Sequence, residues 1–230
     1  MPQLQRPLDL TDDEIDALPV DRLALEILRQ FDGGAQIHIY NYLNSWRNAG
    51  VAEQSLQMRA LAEACEWLRT SGLVVEPSGI GTGFVTRLGR QVLDRGLPFL
   101  GAVNQLSKDD LHPLLSSIRS QFLLGEYELA AFAAMRQVEV RVRDLGGYDD
   151  AAIGRSMMRN AFKPDEGPLR DPSAERGEQQ GLADLFAGAI GVFKNPTSHR
   201  VVTFDDPAEA AEVVRLASLL LRILDKRAPE

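Results

Sequence analysis

One short stretch gathers most of the side chains with which this chain could do acid–base chemistry. Residues 193–200 read Phe-Lys-Asn-Pro-Thr-Ser-His-Arg, and they place Lys194, Asn195, Ser198 and His199 in one loop just beyond a helix. An imidazole titrates near neutral pH, while amide, hydroxyl and ammonium groups bind anionic oxygens. The proline cannot continue the helix, so these groups are expected together at its end.

The other candidates for chemistry are weaker. Of the three histidines, His38 is expected in a core or on a surface, and His112, which precedes a proline at a helix start, is expected to cap or pack. A metal site built on His199, Asp205 and Asp206 lacks a second histidine or a close carboxylate pattern. No strained nucleophile turn on a sheet is visible either. The sequence therefore predicts no metal and no cofactor.

Composition limits the class of protein. The 230 residues are 44% hydrophobic and 25% charged, which is typical of a globular chain. Cys65 is the only cysteine, so neither a disulfide framework nor a cysteine zinc site is expected. No apolar signal segment or membrane-length apolar run is visible, which predicts a cytoplasmic protein without membrane contact. A net charge of −8 argues against a general nucleic-acid coat.

Breaks in the pattern divide the chain into four segments. Residues 1–19 form an acidic lead-in, in which Thr11 and Glu14 make a capping box for a short helix. Residues 20–96 form a first domain and residues 107–230 a second. The residues between them, 97–106, contain a proline and a glycine and are predicted to be a linker.

The first domain resembles a winged helix-turn-helix. Three helices precede two short strands, Leu73–Glu76 and Phe84–Val85, and a further helix begins after Thr86. Residues 20–96 carry eight acidic and eight basic side chains. The helix in the recognition position, Gln54–Arg69, offers Arg59 and Arg69, but Glu53, Glu63 and Glu66 lie beside them. Because phosphate contacts dominate DNA affinity, we expect weak DNA binding and favour contact with a partner protein or a structural role.

The second domain is expected to be all-α. Its predicted helices span residues 111–124, 127–145, 149–162, 177–194 and 206–227, with a polar loop at 163–176. The last helix is apolar nearly all round, so it is expected to be buried on more than one side. Small residues lie near the end of the fourth helix (Ala187, Gly188, Ala189 and Gly191), and they would let another helix approach closely. Together these features predict a two-fold homodimer through the bundle.

An ordered set of blocks in this domain resembles the Ymh-type family of prokaryotic and phage proteins. The blocks are Leu111-His112-Pro113, Leu124–Ala130, Val138–Arg143, Leu185–Gly191, Asn195-Pro196-x-x-His199 and Ala217–Asp225. That family is similar to the HEPN superfamily, whose members are α-helical bundles, usually dimeric, and often metal-independent ribonucleases in toxin and phage-defence systems. The resemblance thus implies a mainly α chain with a winged-helix-like domain followed by a HEPN-like bundle.

The resemblance also assigns roles within the loop. The superfamily motif is an arginine, a polar follower, and a histidine four to six residues further on. His199 matches the histidine, Asn195 the polar follower, and Lys194 stands at the arginine position. Glu139, Arg143 and Ser198 are supporting candidates, although Glu139 and Arg143, four residues apart on one helix, are expected rather to pair on the surface.

Two functions stay open on the sequence. In the first, a dimer cleaves RNA without a metal as a defence or toxin effector. In the second, the same dimer is a catalytically silent adaptor for a partner protein or nucleic acid. His199 favours the first function and Lys194 the second, because an ammonium lacks the bidentate fork that arginine offers a phosphate.

Overall fold

The computed structural model describes residues 6–32, 37–77, 82–107, 110–195 and 203–227. The chain separates into two compact units, Met1–Leu97 and Pro98–Glu230. Both are mainly helical, as the sequence predicts, and the described strands form one small antiparallel sheet. Across the described ranges, no helix combines the length and the apolar character needed to cross a membrane.

Unit 1 contains helices α1–α5 and a short hairpin, and α1, α2 and α3 all pack on α4. The elements are α1 Asp12–Ala17, α2 Val20–Phe31, α3 Ile39–Asn48, α4 Leu56–Thr70, β1 Val74–Val75, β2 Phe84–Val85 and α5 Arg87–Arg95. Val74 pairs with Val85 and Val75 with Phe84, and a single bridge joins Ile37 to Gly83. The fully buried Trp46 lies in the core of this unit. The tip of the hairpin, residues 78–81, lies outside the described residues.

The acidic lead-in contributes to this core. The predicted capping box is confirmed, because the Thr11 hydroxyl accepts from the Glu14 amide and the Glu14 carboxylate accepts from the Thr11 amide. Leu8 and Ile15 are buried, and α1 packs against α4. From residue 6 onward, the segment predicted as a lead-in is therefore part of unit 1.

A glycine fixes the junction between the hairpin and α5. Thr86 caps α5 by accepting from the Gly89 amide at 2.9 Å, and its hydroxyl donates to the Gly72 carbonyl at 2.7 Å. A Cβ at Gly89 would lie 2.3 Å from the Leu73 carbonyl oxygen. Only glycine lets helix and strand approach this closely.

Unit 2 is a helical bundle. Its elements are α6 Leu97–Gln105, a 3₁₀ turn Pro113–Leu115, α7 Ser116–Leu123, α8 Tyr127–Gly146, α9 Gly154–Ala161, α10 Arg176–Ala189, a π-helical turn Ile190–Lys194, and α11 Pro207–Asp225. The long helices α8 and α11 pack along each other, and α9 packs on α10. As predicted, Asp206 caps α11 and residues 163–175 form no helix.

The segment predicted as a linker, 97–106, is helix α6 instead. Phe99, Leu100, Ala102 and Val103 are all buried. The Leu106 carbonyl accepts from Arg119 Nε at 2.7 Å, which ties the end of the helix to α7. The burial of this apolar face therefore stabilises a helix here, despite the proline and glycine on which the linker prediction rested.

Candidate functional site

A change of helix type ends α10 and sets the direction of Lys194. After Ala189 the chain makes five residues of π-helix, Ile190–Lys194, and the amide of Asn195 donates to the Ile190 carbonyl. A π-turn inserts an extra residue into an α-helix and so rotates the side chains that follow. The buried Ile190 anchors the turn in the bundle, and the turn packs against α8 and α9.

Lys194 meets a buried carboxylate of α8. Its Nζ lies 3.2 Å from Glu139 Oε2, with the Lys194 side chain 16% exposed and the Glu139 side chain 5% exposed. A buried charge is tolerated when it is paired and hydrogen-bonded. The two oxygens of Glu139 divide this task, because Oε1 accepts the Gly154 amide at 2.7 Å while Oε2 faces Lys194.

Arg143 completes the cluster one helical turn along α8. Its Nη2 lies 3.9 Å from Glu139 Oε2, and its Nε donates to the Ala152 carbonyl at 3.1 Å. Glu139 and Arg143 pair as expected but not on the surface, because both side chains are largely buried. The cation nearer to Glu139 is Lys194. Glu139 thus joins α8 to the start of α9 and to the end of α10.

Sequence reasoning missed Arg155 as a neighbour of the π-turn. A Cβ at Gly191 would come within 2.8 Å of Arg155 Cδ and 3.2 Å of its Nε, so this exposed arginine lies across the turn. Gly191 therefore accommodates a side chain of its own chain. The glycine three residues before Lys194 is the only signal of this contact in the sequence.

The predicted site residues are only partly described. Lys194, Glu139 and Arg143 come together, and Asn195 follows Lys194 half-buried at the end of the π-turn. His199 and Ser198 lie outside the described residues. The cluster thus provides two cations beside a carboxylate, and Lys194 lies five positions before His199 in the sequence.

A second polar cluster joins the first and last predicted family blocks. His112 Nε2 lies 2.7 Å from Asp225 Oδ2, Arg141 Nη2 lies 3.2 Å from Asp225 Oδ1, and the His112 amide donates to Ser218 Oγ at 2.9 Å. His112 Nδ1 accepts from the Leu114 amide at 3.2 Å. Nδ1 is therefore unprotonated and Nε2 carries the hydrogen.

These contacts define the role of His112. Both ring nitrogens are engaged and the residue is buried, so the predicted capping and packing role is confirmed. The hydrogen bond from His112 is the main cause that lowers the pKa of Asp225, and Arg141 adds to it. This cluster connects the start of the 3₁₀ turn to α8 and to the end of α11.

No group of three or more His, Cys, Asp or Glu side chains that could hold a metal ion is found in the described part of the chain.

In comparisons with known proteins, the model of a family described as "Protein of unknown function (Hypoth_ymh)" matches residues 109–224. No curated protein and no solved structure matches. The match spans the 3₁₀ turn, helices α7–α10, the π-turn and nearly all of α11. It includes the whole of the first polar cluster and all of the second except Asp225.

Proposed function

The chain belongs to the Hypoth_ymh family, and from that premise we propose that its second unit is a HEPN-like, ribonuclease-type effector of defence or toxin function that acts as a dimer. The observation that carries the proposal is the 3.2 Å approach of Lys194 Nζ to the buried Glu139 Oε2. It orients a cation immediately before Asn195 and close in sequence to Ser198 and His199. Glu139 and Arg143 act as positioning residues for that cation.

The proposed reaction is an internal transfer on RNA. His199 takes the proton of a 2′-OH as O2′ forms a bond to the adjacent phosphorus, and the bond from phosphorus to O5′ breaks. The protonated His199 of the partner subunit gives its proton to the leaving O5′. Lys194 and Asn195 stabilise the charge that develops on the phosphorane oxygens. The products are a 2′,3′-cyclic phosphate and a 5′-OH, and no metal is required.

The test compares RNA cleavage by the wild type, Lys194→Arg, Lys194→Ala and His199→Ala in the presence of EDTA. We expect Lys194→Arg to restore the bidentate fork and raise the rate, and each alanine variant to abolish cleavage. The double variant should lose little more than either single variant, because residues acting as one unit are not additive. Lys163→Ala is the matched control, since this exposed lysine pairs with Glu166. Equal inertness of the wild type and Lys194→Arg on every RNA would overturn the proposal.

A cell-based comparison extends the test. If the chain is an effector nuclease, expression of the wild type should slow growth more than expression of His199→Ala at matched protein levels. Equal tolerance of both would count against the nuclease.

The second candidate is a catalytically silent adaptor with the same fold. It is favoured by the burial of Lys194 against Glu139, because a cation matched by a carboxylate attracts a phosphate less strongly than an unmatched one. Retained partner binding by Lys194→Ala and His199→Ala, with no cleavage by any variant, is the outcome expected for this function.

We propose that the dimer forms through one face of α10. Gly188 lies on open space there, and the neighbouring Leu185 and Val192 are 42% and 62% exposed. The other small residues near the end of this helix do not lie on this face. Ala187 and Ala189 are buried within the chain, and Gly191 is covered by Arg155. A two-fold axis through such a face gives both copies the same contacts.

Light scattering at micromolar concentration should show a dimer. Val192→Asp should dissociate it, whereas Leu56→Asp, at a comparably exposed position of unit 1, should leave it intact. A monomeric wild type, or a dimer broken only by Leu56→Asp, would contradict the assignment.

For unit 1 we propose a winged helix that contacts a partner protein. Val75 and Phe84 pair across the hairpin and are both exposed, and Tyr40 is 65% exposed. These apolar groups suit a protein surface better than a phosphate backbone. The full chain should bind duplex DNA weakly and with strong salt dependence, whereas tight, sequence-selective binding at physiological salt would refute the charge argument.

A further inference from the structure

A cleft of about 520 Å³ lies in unit 2 between the segment 163–175, which contains three prolines, α10 and the end of α11. A volume of this size suits a small organic ligand. Every lining residue belongs to the described part of the chain. The lining residues are Pro168, Arg170, Asp171, Pro172, Leu182, Ile223, Lys226 and Arg227.

Cations outnumber carboxylates in this cleft. Arg170, Lys226 and Arg227 face a single acid, Asp171. Oδ1 of Asp171 accepts the Ser173 hydroxyl at 2.6 Å and the Ser173 amide at 3.0 Å. These hydrogen bonds lower the pKa of Asp171, so it stays ionised and holds its own turn. The charge of Arg227 lies near enough to contribute to the lowered pKa of Asp171.

Each arginine is anchored by one nitrogen and keeps others for a ligand. Arg170 Nη1 donates to the Gly167 carbonyl at 3.1 Å, and Arg227 Nη1 donates to the Ile223 carbonyl at 3.0 Å. Among the described residues, neither arginine forms an ion pair with a carboxylate, and Arg227 Nε is buried without a hydrogen-bond acceptor. An anchored guanidinium is pre-oriented for a bidentate oxyanion.

Apolar side chains supply the rest of the lining. Pro168, Pro172, Leu182 and Ile223 border the same space as the three cations. A ligand that matches both parts has an oxyanion at one end and an apolar body at the other. From this juxtaposition we propose that the cleft binds an organic anion, with Arg170 and Arg227 holding its carboxylate or phosphate and Leu182 and Ile223 packing on its body. The assignment is independent of the proposed RNA cleavage.

The experiment is calorimetric titration of the full chain, without RNA and at constant ionic strength, with phenyl phosphate, benzoate and inorganic phosphate. We expect saturable one-to-one binding of phenyl phosphate or benzoate, and the tighter of the two identifies the head group. Inorganic phosphate should bind about tenfold more weakly than phenyl phosphate, because it leaves the apolar lining unused.

Variants test the named contacts. Arg170→Gln and Arg227→Gln should each weaken binding by about tenfold or more, as expected for loss of a charged hydrogen bond. Leu182→Ala should weaken phenyl phosphate binding and leave that of inorganic phosphate unchanged. Arg176→Gln is the matched control, since this exposed arginine lies on α10 outside the cleft and pairs with Asp165.

Far-UV circular dichroism checks that each variant is folded. If Arg227→Gln does not fold, Lys226→Gln replaces it, because Lys226 is exposed and lies beside it in the lining. The proposal is overturned if none of the three probes binds saturably. It is also overturned if Arg176→Gln weakens binding as much as the cleft variants do, which would indicate general charge attraction only.

Discussion

The pair formed by Glu139 and Lys194 can be measured with a double-mutant cycle. Glu139→Gln removes the charge and keeps an oxygen that can accept the Gly154 amide. Lys194→Met removes the ammonium and keeps most of the apolar length. The cycle compares the free energy of unfolding of each single variant with that of the double variant.

The structure sets the expected magnitude. Removing one partner from a fully buried ion pair costs about 3–5 kcal/mol. Lys194 is 16% exposed, so water replaces part of the interaction lost in either single variant. In Lys194→Met, Arg143 Nη2 also remains 3.9 Å from the carboxylate of Glu139. We therefore expect each single variant to lose about 2 kcal/mol and the pair to show a coupling energy of about 1–2 kcal/mol. The double variant should accordingly be more stable than the sum of the two losses predicts.

The assay is urea unfolding followed by two probes. Trp46 and Trp67 both lie in unit 1, so their fluorescence reports that unit and serves as an internal control. Far-UV circular dichroism reports both units. Amide hydrogen exchange at Gly154 gives a local readout, because its N–H should exchange faster in Glu139→Ala, which lacks the acceptor.

Asp144→Asn is the matched control for charge removal, because Asp144 is exposed on the same helix. Its effect should stay within about 0.5 kcal/mol, which is usual for a surface substitution. Additivity of Glu139→Gln and Lys194→Met within about 0.5 kcal/mol would refute the reasoning, because it would mean that the two side chains do not interact in solution.

Three further predictions concern other parts of the fold. The lowered pKa of Asp225 adds stability that is present above the carboxyl's ordinary pKa of 3.8 and is lost as the pH falls through the folded-state pKa. Asp225→Asn should therefore unfold at lower urea concentration than the wild type at pH 7. A difference between the two urea midpoints that widens in acid would contradict this. Gly89→Ala should lower the free energy of unfolding by about 1–3 kcal/mol or more, because the Cβ of the alanine would meet the Leu73 carbonyl oxygen. An unchanged urea midpoint, measured by tryptophan fluorescence, would exclude that contact. Burial raises the pKa of the Cys65 thiol to about 12, so Ellman's reagent should react with it only as fast as unit 1 unfolds, and rapid labelling of the native chain would contradict its burial.

Features encoded within a few residues could be predicted from the sequence. Thr11 and Glu14 begin α1 as expected, Asp206 caps α11, and the three prolines between 163 and 176 exclude a helix there. Each depends on hydrogen bonds between neighbours in the chain, so a local pattern contains the whole signal.

Contacts between distant residues could not be predicted in this way. His112 and Asp225 are 113 positions apart, and nothing in either block indicates that they meet. Glu139 reads as a member of an i, i+4 surface pair until the π-turn places Lys194 beside it. Residues 97–106 are predicted to be a linker because their proline and glycine are visible in the sequence, whereas the surface that buries Phe99 is not.

Under the proposed HEPN-like assignment, Lys194 stands at an arginine position, and the partners of the two Glu139 oxygens decide what an arginine there would contact. Oε1 is occupied by the Gly154 amide, so Oε2 is the oxygen that faces Lys194. An arginine at 194 would place one N–H on Oε2 and hold a second in the same plane, directed at a further acceptor such as a phosphate. An ammonium has no such fixed second donor.

Lys194→Arg therefore tests the proposed catalysis and the stability of the cluster separately. Faster RNA cleavage with an unchanged urea midpoint means that the new N–H serves the substrate. A higher midpoint without cleavage means that the fork serves only Glu139, which is the result expected of an adaptor.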